Sequence, residues 1–322
     1  MKKVRQTIVL MLAAILVTVL SSCGTRDKDP EDGQKKIAVV TTLFPLYDFT
    51  RAIARDKADV TLLLPPGVEA HAFEPKPGDM VRISSARLFV YTGKYMEPWA
   101  EEILKGTSNK ALIVRDASQG IRLMHTTEKD HDEADDEDRH EHRDHGTYDP
   151  HIWLDFENGM KMVDTIADGL SAADPANSAF YRQNAARYKE ELLALDTRFR
   201  ETLKTCGKKT LVHGGHFAFG YLARRYSLEY VSAYQGSPNA EPTARKIIGL
   251  EKIIKEKGVR YVYFEELINP KVSELLSRET GATLLSLHGA HNITRDELAK
   301  GSTFISLMDA NLVNLKMGLE CK

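Results

Sequence analysis

DPANSAFYRQNAARYKEELLALDTRFRETLKTC occupies residues 174–206, and its reading decides the fold. Asp174-Pro175 is a helix start signal, because proline at the first helical position gives up no hydrogen bond and holds a helical φ. A helix of about thirty residues spans about 45 Å at 1.5 Å per residue, the length of a whole domain. On either side of it, short β-branched runs alternate with helical patterns. Upstream the strand signals are IAVVTTL (37–43), DVTLLLP (59–65), ARLFVYTG (86–93) and ALIVRDA (111–117). Downstream they are TLVHGG (210–215), SLEYVSAY (227–234), RYVYFEE (260–266) and ATLLSL (282–287), with helical stretches between them and a last helix through ISLMDANLVNLKMGL. Such alternation predicts parallel sheets. The expected fold is therefore α/β, with one Rossmann-like lobe over residues 36–173, a linking helix over 174–206 and a second lobe over 207–322.

The first 35 residues stand apart from this pattern. Lys2, Lys3 and Arg5 form a positive n-region, and Ile8–Leu20 is an apolar run too short to span a bilayer comfortably. Leu20-Ser21-Ser22-Cys23 resembles a bacterial lipobox, in which the cysteine becomes the lipidated first residue. Residues 1–22 are read as a lipoprotein signal peptide and 23–35, rich in charge, Gly and Pro, as a flexible tether. The chain is thus expected to work outside the cytoplasmic membrane, at the cell surface or in the periplasm, anchored by lipid at Cys23. The other two cysteines, Cys206 and Cys321, would sit in an oxidising compartment, where they could form one disulfide; whether they meet is left open by the sequence. With 44 basic against 46 acidic residues the net charge is −2, and the basic residues are dispersed, so no nucleic-acid partner is indicated. A monomer is expected.

Histidine carries the functional signal. Six of the eleven histidines fall between residues 125 and 151. Five of them, including His131, His140, His142 and His145, are mixed with acidic residues in a segment over 125–146 with almost no large apolar side chains. Such a segment cannot build a core, and reads as a disordered loop able to hold metal weakly. The remaining histidines lie in four strand-end loops: GVEAHAFEPKPGD with His71, YDPHIWLD with His151, LVHGGHFAFGY with His213 and His216, and LSLHGAHNIT with His288 and His291. Imidazole is the commonest zinc ligand, and a set without thiolates suits a metal that must be released. One enzymatic alternative is a zinc hydrolase using His213, His216 and a Glu265 base. Against it, no HExxH signature is present and Gly-Gly separates the two histidines.

These stretches, together with SPNAEPTARKI, FEELINPKV and TFISLMDANLVNLK, resemble the solute-binding lipoproteins of zinc and manganese ABC importers, in the family's order and over nearly the whole chain. The resemblance implies two α/β lobes, a rigid connecting helix and a metal site in the cleft between lobes. It implies an ABC permease and its ATPase as partners, with no enzymatic activity. Carried over, His71, His151 and His216 are metal ligands. The fourth position departs from the family's aspartate; His291 lies nearest, with His288, Glu265 or water as alternatives. Mn²⁺ favours harder oxygen donors, so a histidine-rich set implies Zn²⁺ over a manganese-specific member of the family. Glu74, Asp155 and Glu241 are read as orienting histidines or capping helices.

Overall fold

Where the chain carries β-branched and aromatic runs it extends, and where apolar residues recur every three to four positions it coils. The computed structural model describes residues 36–126, 148–234 and 242–322. In chain order the first half contains β1 (Ile37–Thr41), α1 (Phe44–Ala54), β2 (Ala58–Leu62), α2 (Pro77–Ser85), β3 (Leu88–Tyr91), α3 (Ala100–Gly106) and β4 (Ile113–Asp116). A two-residue antiparallel ladder, β5 (Met124–His125) with β6 (Tyr148–Asp149), brackets the His/acid segment. Then come α4 (Phe156–Ala173) and α5 (Ser178–Lys204). The second half contains β7 (Thr210–His216), α6 (Gly220–Arg225), β8 (Glu229–Tyr234), α7 (Ala244–Lys257), β9 (Tyr261–Phe264), α8 (Lys271–Thr280), β10 (Thr283–Ser286), α9 (Arg295–Ala299) and α10 (Phe304–Gly318).

Both four-stranded sheets are parallel, with orders β2-β1-β3-β4 and β10-β9-β7-β8. Counted within each half, the two orders are the same winding, 2-1-3-4. In such open sheets the crevice at the carboxyl ends of the strands is where ligands are bound. All four histidine loops emerge at strand ends. β3 and β7 are buried along their whole length, as central strands covered on both faces require.

The long helix α5 is amphipathic. Tyr181, Ala185, Tyr188, Leu192, Leu195, Phe199 and Leu203 recur at three- and four-residue spacing and are all buried against α1, α4 and α10. It therefore acts as more than a bridge. The outer face of each sheet has a small cluster of its own, around Ile83 and Phe89 in the first and Val212, Leu250 and Ile254 in the second. Their inner faces share one large core that runs from Val39 and Leu88 through Trp153 and Phe199 to Leu211 and Phe304.

Arg225 adds a polar weld to this core. Its Nε and Nη2 donate to Asp196 of α5 at 2.7 and 2.9 Å, and its Nη1 donates to Asp155 at 2.7 Å. Burial alone would raise the Asp196 carboxyl, but hydrogen bonds from Arg225, Tyr226 and Arg200 outweigh it and hold the group at about 2. Asp155 also caps α4, accepting from the Glu157 N–H. A disulfide joins Cys206, just past α5, to Cys321 at the C-terminal end.

Candidate metal centre

Four loops converge on one point. His71 lies in the loop after β2, His151 just beyond β6, His216 at the end of β7 and His291 in the segment after β10. One ligand atom from each of the four lies within 4.8 Å of the others. His151, His216 and His291 are buried, while His71 is partly exposed.

The distances carry chemical information. His151 Nε2 stands 3.2 Å from His71 Nε2 and 3.3 Å from His216 Nε2. Four nitrogens placed tetrahedrally at zinc–imidazole distances of about 2.0–2.1 Å are separated by about 3.3 Å, the edge of that tetrahedron. His151 Nδ1 is 2.6 Å from Asp149 Oδ1, and His216 Nδ1 is 2.8 Å from Glu265 Oε1. A neutral imidazole donating its Nδ1–H to a carboxyl oxygen turns a lone pair outward at Nε2. Two such lone pairs facing each other at 3.3 Å repel unless a cation lies between them. His291 Nε2 is buried with no hydrogen-bond partner, and a ring nitrogen of His291 completes the cluster.

Electrostatics prepare the set for a cation. Burial, with the neighbouring histidines adding to it, holds His71 and His151 well below the ordinary imidazole value and brings His216 down to about 3. The rings are therefore neutral and ready to ligate. Burial pushes the Asp149 carboxyl up to about 8 and the Glu265 carboxyl up to about 7. Glu266 goes the other way: burial would raise it, but His288, His291 and the Gly289 N–H outweigh that and lower it.

The remaining histidines stand outside the cluster. A register shift in the β7–β8 pairing falls between His213 and His216. His213 Nδ1 lies 3.2 Å from the His216 carbonyl and 3.3 Å from the Tyr230 hydroxyl. In the last loop Ala290 has φ 57, a left-handed turn that sends the flanking histidines apart. His288 Nδ1 sits 3.2 Å from Glu266 and accepts from the Ala290 N–H, while His291 joins the cluster. Glu265 stands behind His216, accepting from both its ring and its backbone N–H. Of the carboxylates read as supports, Asp155 caps a helix, Glu74 is exposed and Glu241 lies outside the described residues. His131, His140, His142, His145 and Cys23 also lie outside them.

Sequence reasoning passed over three supports. Asp149 is two residues from His151 and reads as part of the DP turn until its contact is seen. Glu266, next to Glu265, touches His288 and lies 3.8 Å from His291 Nδ1. Trp153 Nε1 donates to Gly289 O at 2.8 Å, so DPHIW also braces the fourth loop.

A family profile described as zinc-uptake complex component A, periplasmic, matches residues 39–318, which include all four clustered histidines. The chain belongs to this family. The high-affinity zinc uptake system protein ZnuA of Bacillus subtilis is 36% identical over 321 residues, covering 100% of this chain and 99% of that protein. The zinc-binding lipoprotein AdcA of Streptococcus pneumoniae is 34% identical over 95% of this chain, which spans only 60% of AdcA. Among solved structures, the metal-dependent lipoprotein YcdH of Bacillus subtilis matches with TM-score 0.75 at 36% identity, over 88% of this chain and 100% of that one. The Zn(II)-bound ZnuA-like domain of Streptococcus pneumoniae AdcA matches with TM-score 0.73 at 33% identity, over 88% and 99% respectively. These two solved relatives share the α/β fold of this chain, and the family's periplasmic description sets the work of this chain outside the cytoplasm.

Proposed function

We propose that the chain captures Zn²⁺ outside the cytoplasmic membrane through His71, His151, His216 and His291 and delivers it to the ABC permease and ATPase of a zinc-uptake system. The observation that carries this reading is the convergence of four imidazoles from four loops with Nε2 spacings of 3.2 and 3.3 Å. An all-nitrogen set suits Zn²⁺ and lacks the oxygen donors that Mn²⁺ favours. It is also a closed set, whereas a catalytic zinc keeps one position for water, so the work is binding and release without reaction chemistry. The zinc-bound AdcA domain, similar over most of its length, supports the same cargo. Lipid attachment at Cys23 completes the reading, holding the protein near the membrane where its permease lies; the lipoprotein relatives support it. The test is competition titration of the purified protein with Zn²⁺ and Mn²⁺ at one pH. Zinc preferred by orders of magnitude, and lost in His71→Ala and His216→Ala, is the expected result; equal affinities, or variants that bind as the parent does, would overturn it.

A further inference from the structure

Two of the four clustered imidazoles are held from behind by a buried carboxylate, His151 by Asp149 and His216 by Glu265, and His291 has the partly buried Glu266 3.8 Å from its Nδ1. His71 is the exception. Among the described residues the side-chain hydrogen bond and ring contacts of His71 are with the other rings of the cluster, and its backbone N–H is taken by Glu69 Oε1 at 2.8 Å. It is also the one partly exposed member. Its place must therefore come from the loop that carries it.

That loop opens with Pro65-Pro66-Gly67-Val68, closed by the Val68 N–H donating to Pro65 O at 3.1 Å. Proline at the second position and a glycine with φ 87 at the third are the marks of a type II turn. Asn292, next in sequence to His291 and fully buried, reaches into this turn. Its Nδ2 donates to Pro65 O at 2.7 Å and to Val68 O at 2.8 Å. Its Oδ1 accepts from the Ile293 N–H, and Ile293 O in turn accepts from Gly67 N–H at 2.9 Å. Both donors of one side chain are thus spent on joining the His291 loop to the start of the His71 loop, while its oxygen accepts within its own loop. Past Val68, Glu69 accepts from the His71 and Ala72 N–H groups and carries the geometry on to the ligand.

We infer that Asn292 is a positioning residue for zinc: it sets His71 against His291 and does for that ligand what carboxylates do for the others. This rests on the zinc-binding reading above. Residues that orient ligands without touching the metal are typically worth about 10–100-fold in affinity.

A double-mutant cycle separates this role from a general structural one. Zinc affinity is measured by chelator competition for the parent, His71→Ala, Asn292→Ala and the double variant. Asn292→Ala is expected to weaken zinc by about 10–100-fold in the parent and by less than about threefold in the His71→Ala background. The cobalt-substituted protein should show an altered visible spectrum in Asn292→Ala, because one donor is displaced. Gly67→Ala offers a second route, since a Cβ there would meet nothing within 4 Å and only the positive φ is disturbed. It is expected to weaken zinc in the same His71-dependent way, and serves alone should Asn292→Ala not fold. Losses that are additive with His71→Ala, or an affinity within about twofold of the parent, would overturn the inference while His71→Ala still loses zinc. A parent that binds no zinc, or a His71→Ala variant that binds it unchanged, would instead remove the reading beneath it.

Discussion

Asp149→Asn isolates charge from shape at the centre. Asp149 is completely buried, and its Oδ1 accepts from both the backbone N–H and Nδ1 of His151. Asparagine keeps that oxygen in place, and its Nδ2 takes the position of an Oδ2 that already has no hydrogen-bond partner. With burial holding the carboxyl up at about 8, the side chain is neutral at pH 7 in the metal-free protein, so asparagine resembles it there. The metal-free melting temperature should move by less than about 2 °C. Zinc changes the balance, because a dication drives the proton off and the resulting carboxylate strengthens His151 as a donor. That contribution is lost in the variant, at about 10–100-fold in affinity, or about 1.4–2.7 kcal/mol. With free zinc at a thousand times the parent dissociation constant, binding stabilises the parent by about 4.1 kcal/mol and a thirtyfold weaker site by about 2.1 kcal/mol. The zinc-bound melting temperature should therefore fall by about 4–8 °C. Differential scanning calorimetry with and without zinc, alongside chelator competition, reads both quantities. A variant whose metal-free form collapses while its zinc affinity holds would refute the reasoning.

Zinc affinity should fall on acidification from about pH 8 rather than from the 6.5 of a free imidazole. His71, His151 and His216 titrate far lower, while zinc must displace protons from Asp149 near 8 and Glu265 near 7. A plot of log affinity against pH should slope at about one to two per unit between pH 5 and 7; a flat line down to 6.5 would count against it. His213→Ala should leave zinc affinity within about threefold, since the ring lies outside the cluster; a loss approaching that of His216→Ala would show otherwise. Arg225→Ala takes two hydrogen bonds from the buried Asp196, which keeps those of Tyr226 and Arg200, and should cost about 1.5–3 kcal/mol in chemical denaturation, a loss below about 0.5 kcal/mol contradicting the weld. Deleting residues 126–145 should lower the number of zinc ions bound and leave the tightest site nearly intact, as read by titration calorimetry.

Most of the architecture could be read from local signals, because buried strands need β-branched runs and α5 needs its stripe. The short helices α2 and α3 escaped, the first hidden behind Pro75, Pro77 and Gly78. The shared core was also invisible, since a pattern of apolar residues says that a face is buried but not against what. His71, His151 and His216 could be named from their motifs. Choosing between His288 and His291 could not be settled locally, because both are histidines three residues apart in one loop. The choice depends on the left-handed Ala290, an unusual conformation for alanine, and on Glu266 and Asn311 waiting for His288. Asp149, Glu266 and Asn292 were missed for the same reason. Their partners lie two to 227 positions away, and only tertiary placement gives an ordinary acid or amide its task.

The central claim is that one zinc ion is held by four imidazoles and nothing else. X-ray absorption at the zinc edge, on protein loaded with one equivalent, tests it most directly. Four nitrogen scatterers at about 2.0–2.1 Å with strong imidazole multiple scattering is the predicted spectrum. A shell containing oxygen or sulfur, or one expanded beyond four, would contradict it.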